Sequence, residues 1–131
     1  MAVTSIFVNL PVADIEASKR FYAALGFGFN PDFSDENSAY IVVAEHIALQ
    51  LATPEKFRSF TNQEIPPAGS CILALGVESR DEVDRMADVA LQHGGSSSRD
   101  TIDLGWLYNR AFSDPDGHHF EAVYLDVAAT S

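Results

Sequence analysis

In the stretch Asp114-Pro115-Asp116-Gly117-His118-His119-Phe120-Glu121, a carboxylate follows a tight turn at a fixed distance. Pro115 presets φ for the second turn position, and Gly117 supplies a conformation that a side chain resists. Beyond the turn, side chains alternate between two faces. His119, Glu121 and Val123 share one, and His118, Phe120 and Ala122 the other. A strand carboxylate can ligate a cation, act as a general base or form half of an ion pair. Glu121 is the only candidate base. His119 is on the same face, about 7 Å along the strand. His118 points to the opposite face, His46 falls in a turn, and His93 lies in the last turn of a helix, where positive charge suits the dipole. None of these three is given a chemical role.

The closing hairpin supplies a partner for Glu121. If residues 114–117 form a four-residue loop, Ser113 pairs with His118 and Arg110 sits opposite Glu121. Two readings follow. The pair is a cross-strand ion pair that neutralises the carboxylate and fixes register, or Arg110 and Glu121 together line a ligand site, with Arg110 capturing an anionic group. The same register puts Trp106, Tyr108 and Phe112 on the pocket face. Such an aromatic set stacks on a flat or apolar ligand, or else packs in a core or a subunit interface.

The elements that must position these groups are legible from periodicity. Ile6, Val8, Leu10 and Val12 form one face of a strand, with Phe7, Asn9 and Pro11 on the other. Asp14 caps a helix whose inner stripe is Ile15, Ser18, Tyr22 and Leu25, stopped at Gly26. Phe27 to Phe33 reads as an irregular strand broken by Pro31, followed by a polar loop at Asp35-Glu36-Asn37. Tyr40–Ala44 and Ile47–Ala52 form a hairpin across Glu45-His46, with Ala48, Gln50 and Ala52 on one face of its second strand. Thr53-Pro54 starts a short helix carrying Phe57 and Phe60. Cys71–Val77 is a strand, and Ser79 to Glu82 a capping box. Val83, Met86, Ala87, Ala90 and Leu91 form a helical stripe ended at Gly94-Gly95. The tail from Val127 is small and polar and is expected to fray.

These segments are two copies of one plan: strand, helix, strand, strand, strand. Val12 and Val77 hold the same place in the two copies. The last strand of the first copy carries Gln50, and that of the second carries Glu121. The expected fold class is α+β, two paired βαβββ modules forming a curved mixed sheet around a cleft. They form a single domain, with an N-terminal module at about 5–53, a connector at about 54–69 and a C-terminal module at about 70–126. The opening Val12-Ala13-Asp14, Ser18, Phe21-Tyr22 and Leu25-Gly26-Phe27, with the closing Asp114-Pro115-Asp116-Gly117 and Glu121, resembles the vicinal-oxygen-chelate superfamily. That group includes glyoxalase I, extradiol dioxygenases and bleomycin-resistance proteins.

The resemblance implies a single divalent ion held by four inward side chains, one from each of four strands. Those positions fall here on Phe7, Gln50, Ile72 and Glu121. Phe7 and Ile72 have no donor atom, so the expectation is no metal and no cofactor. Were a metal present, Gln50 and Glu121 would hold it, with His119 as a third ligand. The implied function is that of a sequestering, metal-free member that binds a small organic molecule, as a homodimer. The expected ligand-binding residues are Phe7, Asn9, Tyr40, Gln50, Ile72, Trp106, Tyr108, Arg110 and Glu121. The alternative is a divalent-metal-dependent lyase or dioxygenase of the glyoxalase type.

Composition sets the outer bounds. A chain of 131 residues with a formal net charge of −11 carries no basic stripe to neutralise phosphates, which argues against nucleic acid and anionic membrane surfaces as partners. With a single cysteine, Cys71, no intrachain disulfide can form. There is no signal-peptide pattern and no membrane-length apolar run, so a cytoplasmic setting is expected.

Overall fold

Alternating burial along β1 (Ile6–Pro11) reflects its alternating sequence: Leu10 is buried, whereas Phe7 and Asn9 stay exposed. The computed structural model describes residues 2–126 and Ala128, so the expected fraying tail lies, Ala128 apart, outside the described residues. The fold is α+β and divides between Pro67 and Ala68 into two units.

In the first unit, α1 (Ile15–Ala24) starts where the Asp14 carboxylate accepts from the Ala17 N–H at 3.1 Å. Its inner stripe of Ile15, Ser18, Tyr22 and Leu25 is buried, and Phe21 joins it edge-on to Tyr22. The sheet runs β1-β4-β3-β2, adding β2 (Gly28–Asp35), β3 (Ser38–Ala44) and β4 (Ile47–Ala52). β1 and β4 are parallel, and the other pairings are antiparallel. A short helix, α2 (Pro54–Arg58), is capped by the Thr53 hydroxyl. It buries Phe57, but Phe60 lies beyond its end and is exposed, because the helix has only one turn to offer an inner face.

The second unit repeats the order as β5-β8-β7-β6, with β5 (Ile72–Gly76) parallel to β8 (His119–Leu125). The remaining elements are α3 (Arg80–Gln92), β6 (Ser96–Asp103) and β7 (Leu107–Ser113). Ser79 caps α3 by accepting from the Glu82 N–H, and the Glu82 carboxylate takes a bond from Arg85. Val83, Ala87 and Ala90 are buried, but Leu91 is exposed, lying past the part of the stripe that the sheet covers. β6 breaks the alternation rule. Its Ser96-Ser97-Ser98-Arg99-Asp100 run is exposed on most positions, and pairing with the bulged edge of β7 alone makes it a strand.

The turn before β8 differs from the four-residue loop expected from its sequence. Ser113 pairs with His119, not His118, so the connection spans residues 114–118. The Asp114 Oδ1 atom accepts from the N–H groups of Asp116 at 3.0 Å and His118 at 2.8 Å, and the Asp114 N–H donates to the His118 carbonyl. This side-chain bonding draws His118 into the turn, where it is buried. Gly117 sits at φ +87°, and a Cβ there would come within 3.4 Å of Ala68. The register therefore moves by one residue, and Arg110 pairs with Ala122 while Ala111 pairs with Glu121. A one-residue slip exchanges the two faces of a strand.

Replacing Asp114 with Ala strands the buried His118 N–H. The expected cost is about 2 kcal/mol, read as a lower urea midpoint at unchanged slope.

Candidate functional site

In the first unit, three sheet partners place a row of polar side chains on one face. Asn9 pairs with Gln50, and Gln50 pairs with Tyr40. Phe7, two residues before Asn9, returns to the same face of β1. Together with Phe33 they line an open depression of about 360 Å³. The Tyr40 ring lies between two others, 6.0 Å from Phe7 and 5.3 Å from Phe33. All five lining residues are uncharged. Phe7, Asn9, Tyr40 and Gln50, expected from the sequence as ligand contacts, are brought together here.

Sequence reasoning missed Phe33. Pro31 reads as a strand breaker, yet β2 passes through it with a register shift between Asn30 and Asp35. The Ser34 hydroxyl bridges the irregularity, donating to the Asn30 carbonyl and accepting from the Tyr40 N–H. A bulge of this kind re-aims the side chains within it.

In the second unit, Ile72, Ser98, Arg99, Ala111, His119, Phe120 and Glu121 line a depression of about 220 Å³. His119 and Glu121 share a face, as expected. Gly69, at φ +83°, lets the backbone approach the His119 ring; a Cβ there would meet Nε2 at 3.1 Å. The partner of Glu121 is Arg99, and not Arg110. The Arg99 Nη2 atom donates to Glu121 Oε2 and to Asn109 Oδ1, while Nη1 donates to the Asp100 carbonyl at 2.7 Å. Arg99 went unseen because its strand carries no apolar alternation. A lone arginine among serines, in the third position of a repeat that needs a strand there, was the available signal.

Arg110, Tyr108 and Phe112 occupy the opposite face, against α3. Arg110 donates to Asp84 at 3.1 Å and Asp88 at 2.9 Å, and the Tyr108 hydroxyl donates to Asp84 at 2.7 Å. Burial pulls the Arg110 pKa down, but the bonds to Asp88 and Asp84 outweigh it and hold it above its ordinary value. The Asp84 bond likewise raises Tyr108. Phe112 is fully buried, stacked on Phe120 at 5.5 Å. Trp106 precedes β7 and is exposed. The expected Arg110–Glu121 pair and the Trp106–Tyr108–Phe112 pocket face are thus corrected by the five-residue turn. Beside them, Arg80 closes a two-bond fork on Asp103, each bond 2.9 Å, and lies 4.8 Å from the Tyr108 ring centroid.

Among the described residues, no three His, Cys, Asp or Glu side chains gather into a metal-binding group. The residues at the metal positions do not fit an ion. Phe7 and Ile72 lack donor atoms, and the Glu121 carboxylate already carries a guanidinium.

Two βαβββ units, each with its first strand parallel to its last, define the vicinal-oxygen-chelate fold. The family model "Bleomycin resistance protein-like N-terminal" matches residues 4–44, and the similar structures share the fold. A hypothetical protein, SA1046 from S. aureus, is similar at 27% identity and TM-score 0.79, over 95% of each chain. A glyoxalase-related enzyme from Fulvimarina pelagi is similar at 22% identity and TM-score 0.78, over 93% of this chain and 88% of that one. TnmS3, an antibiotic binding protein from Streptomyces sp. CB03234, is similar at 23% identity and TM-score 0.68, over 95% and 98%. No match is found among curated proteins. No helix among the described residues is long and apolar enough to cross a membrane.

The Arg80 bonds, then the Gly105 N–H, hold the Asp103 carboxyl at a pKa of about 2 rather than 3.8. The folded value is the lower one, so this contribution is present above the unfolded pKa and is lost as pH falls through about 2. An NMR carboxyl titration should show that midpoint, and Arg80→Gln should return it toward 3.8.

Proposed function

We propose that this protein binds and sequesters a small organic molecule, without a metal ion. The observation that carries this reading is the uncharged depression of the first unit. Phe7, Phe33 and Tyr40 offer ring faces and edges, while Asn9 and Gln50 offer amide donors and acceptors. A mostly apolar concavity with a few oriented polar groups is the usual form of a small-molecule site. Rings hold a flat apolar body by stacking, and the paired amides select its polar edge. The similarity of fold to TnmS3, an antibiotic binding protein, supports this reading. Homodimerisation and a cytoplasmic setting belong to the same proposal.

A second reading, a divalent-metal-dependent lyase or dioxygenase, draws on one observation: His119 and Glu121 share the depression of the second unit. Against it stand Phe7 and Ile72 and the engagement of Glu121 by Arg99. The two readings part in one preparation. The protein is dialysed against nickel, zinc, iron(II) and manganese in turn, and bound metal is quantified. It is then screened for thermal shifts with uncharged aromatic compounds.

The expected result is no stoichiometric metal and at least one stabilising compound. Phe7→Ala should weaken that compound roughly tenfold, about 1.4 kcal/mol, with Gln50→Ala acting in the same direction. One ion per chain, abolished by Glu121→Ala, would overturn the proposal.

A further inference from the structure

We infer that Arg99 is a resident cation of the second unit, occupying Glu121 in place of a divalent ion and thereby making the site select against metals. The inference rests on the metal-free reading above and deepens it by naming the residue responsible.

The geometry is specific. β6 carries the guanidinium across the sheet face to β8, where Nη2 bridges Asn109 of β7 and Glu121 of β8. The Nη1 bond to the Asp100 carbonyl fixes the other end of the plane. Glu121 and Arg99 are both largely covered, with side-chain exposures of 20% and 31%. A guanidinium offers a planar fork of N–H donors along with its charge, so one side chain can hold Glu121 and its neighbours together. An ion coordinated to Glu121 must lie about 2 Å from a carboxylate oxygen, which brings like charges together in a partly desolvated site.

The donors left around Glu121 make this more than an ion pair. His119 lies on the same strand face and lines the same depression. Asn109 is held to Glu121 through one shared nitrogen of Arg99, so its Oδ1 atom lies beside the carboxylate. Removing the positive charge alone would therefore leave a carboxylate and an amide oxygen side by side, with an imidazole lining the same depression. Those are three ligand types that zinc and nickel accept. Phe7 and Ile72 lack donors, but Arg99 blocks this second set.

The test titrates Zn²⁺ and Ni²⁺ separately, by calorimetry, into the metal-stripped full chain. The wild type is compared with Arg99→Gln, Arg99→Met and Arg99→Lys, and melting curves establish that each is folded. Arg99→Met keeps the apolar stem and its packing while removing the charge, which guards against a folding defect in Arg99→Gln. The neutral variants should bind one ion with a Kd at least tenfold below that of the wild type. Arg99→Lys should stay at the wild-type level, and adding Glu121→Gln to Arg99→Gln should erase the gain.

Folded neutral variants that bind no tighter than the wild type would overturn the inference. So would a wild type that already takes up one ion through Glu121. The compound screen on the same preparations tests the sequestering reading separately. A metal gain without any stabilising compound upholds the role of Arg99 and removes that reading. A stabilising compound without a metal gain does the reverse.

Discussion

The second unit depends on one carboxylate in the turn before β8. Asp114 folds back on its own turn and bonds the N–H groups of Asp116 and His118, so that the hairpin closes over five residues. The parity of that turn decides which face every side chain of β7 presents. With it, Arg110 and Tyr108 meet the acidic side of α3, and Asn109 and Ala111 share the face of Glu121. With one residue fewer, Arg110 would meet Glu121, and Asp84 and Asp88 would face no cation from β7. A local hydrogen-bond preference thus distributes the unit's arginines between helix and sheet.

That distribution gives the two units unlike chemistry on a shared plan. In the first, the row Asn9–Gln50–Tyr40 is uncharged and ringed by phenyl groups. In the second, the corresponding face is ionic, and its charge is satisfied internally by Arg99. The acidic chain assigns Arg80, Arg99 and Arg110 to internal carboxylates, each by side-chain hydrogen bonds. Arginine suits this use because its fork can hold partners on separate strands at once. The same occupancy is what weighs against cation chemistry at Glu121.

Much of this was open to a reading of the residues. The repeat, the caps at Asp14 and Ser79 and the buried stripes follow from periodicities that are local and short. The assembly of Phe7, Asn9, Tyr40 and Gln50 needs more, because the two-residue turn at Glu45-His46 would set Gln50 opposite Ile41, and a register shift between Val42 and Ala44 puts it beside Tyr40. The failures share a cause. β6 has no apolar alternation to betray it, and the β2 irregularity that presents Phe33 lies behind a proline. The turn at Asp114 looks one residue shorter than it is.

The chain by itself determined the α+β class, the duplicated order of elements and the absence of donor atoms at Phe7 and Ile72, since composition and alternation carry that information. Tertiary structure decided which cation holds Glu121 and which side chains surround Tyr40. Those outcomes rest on strand register and on edge pairing between distant segments. A single residue of slip preserves the alternation within each strand and yet exchanges the two faces of a sheet.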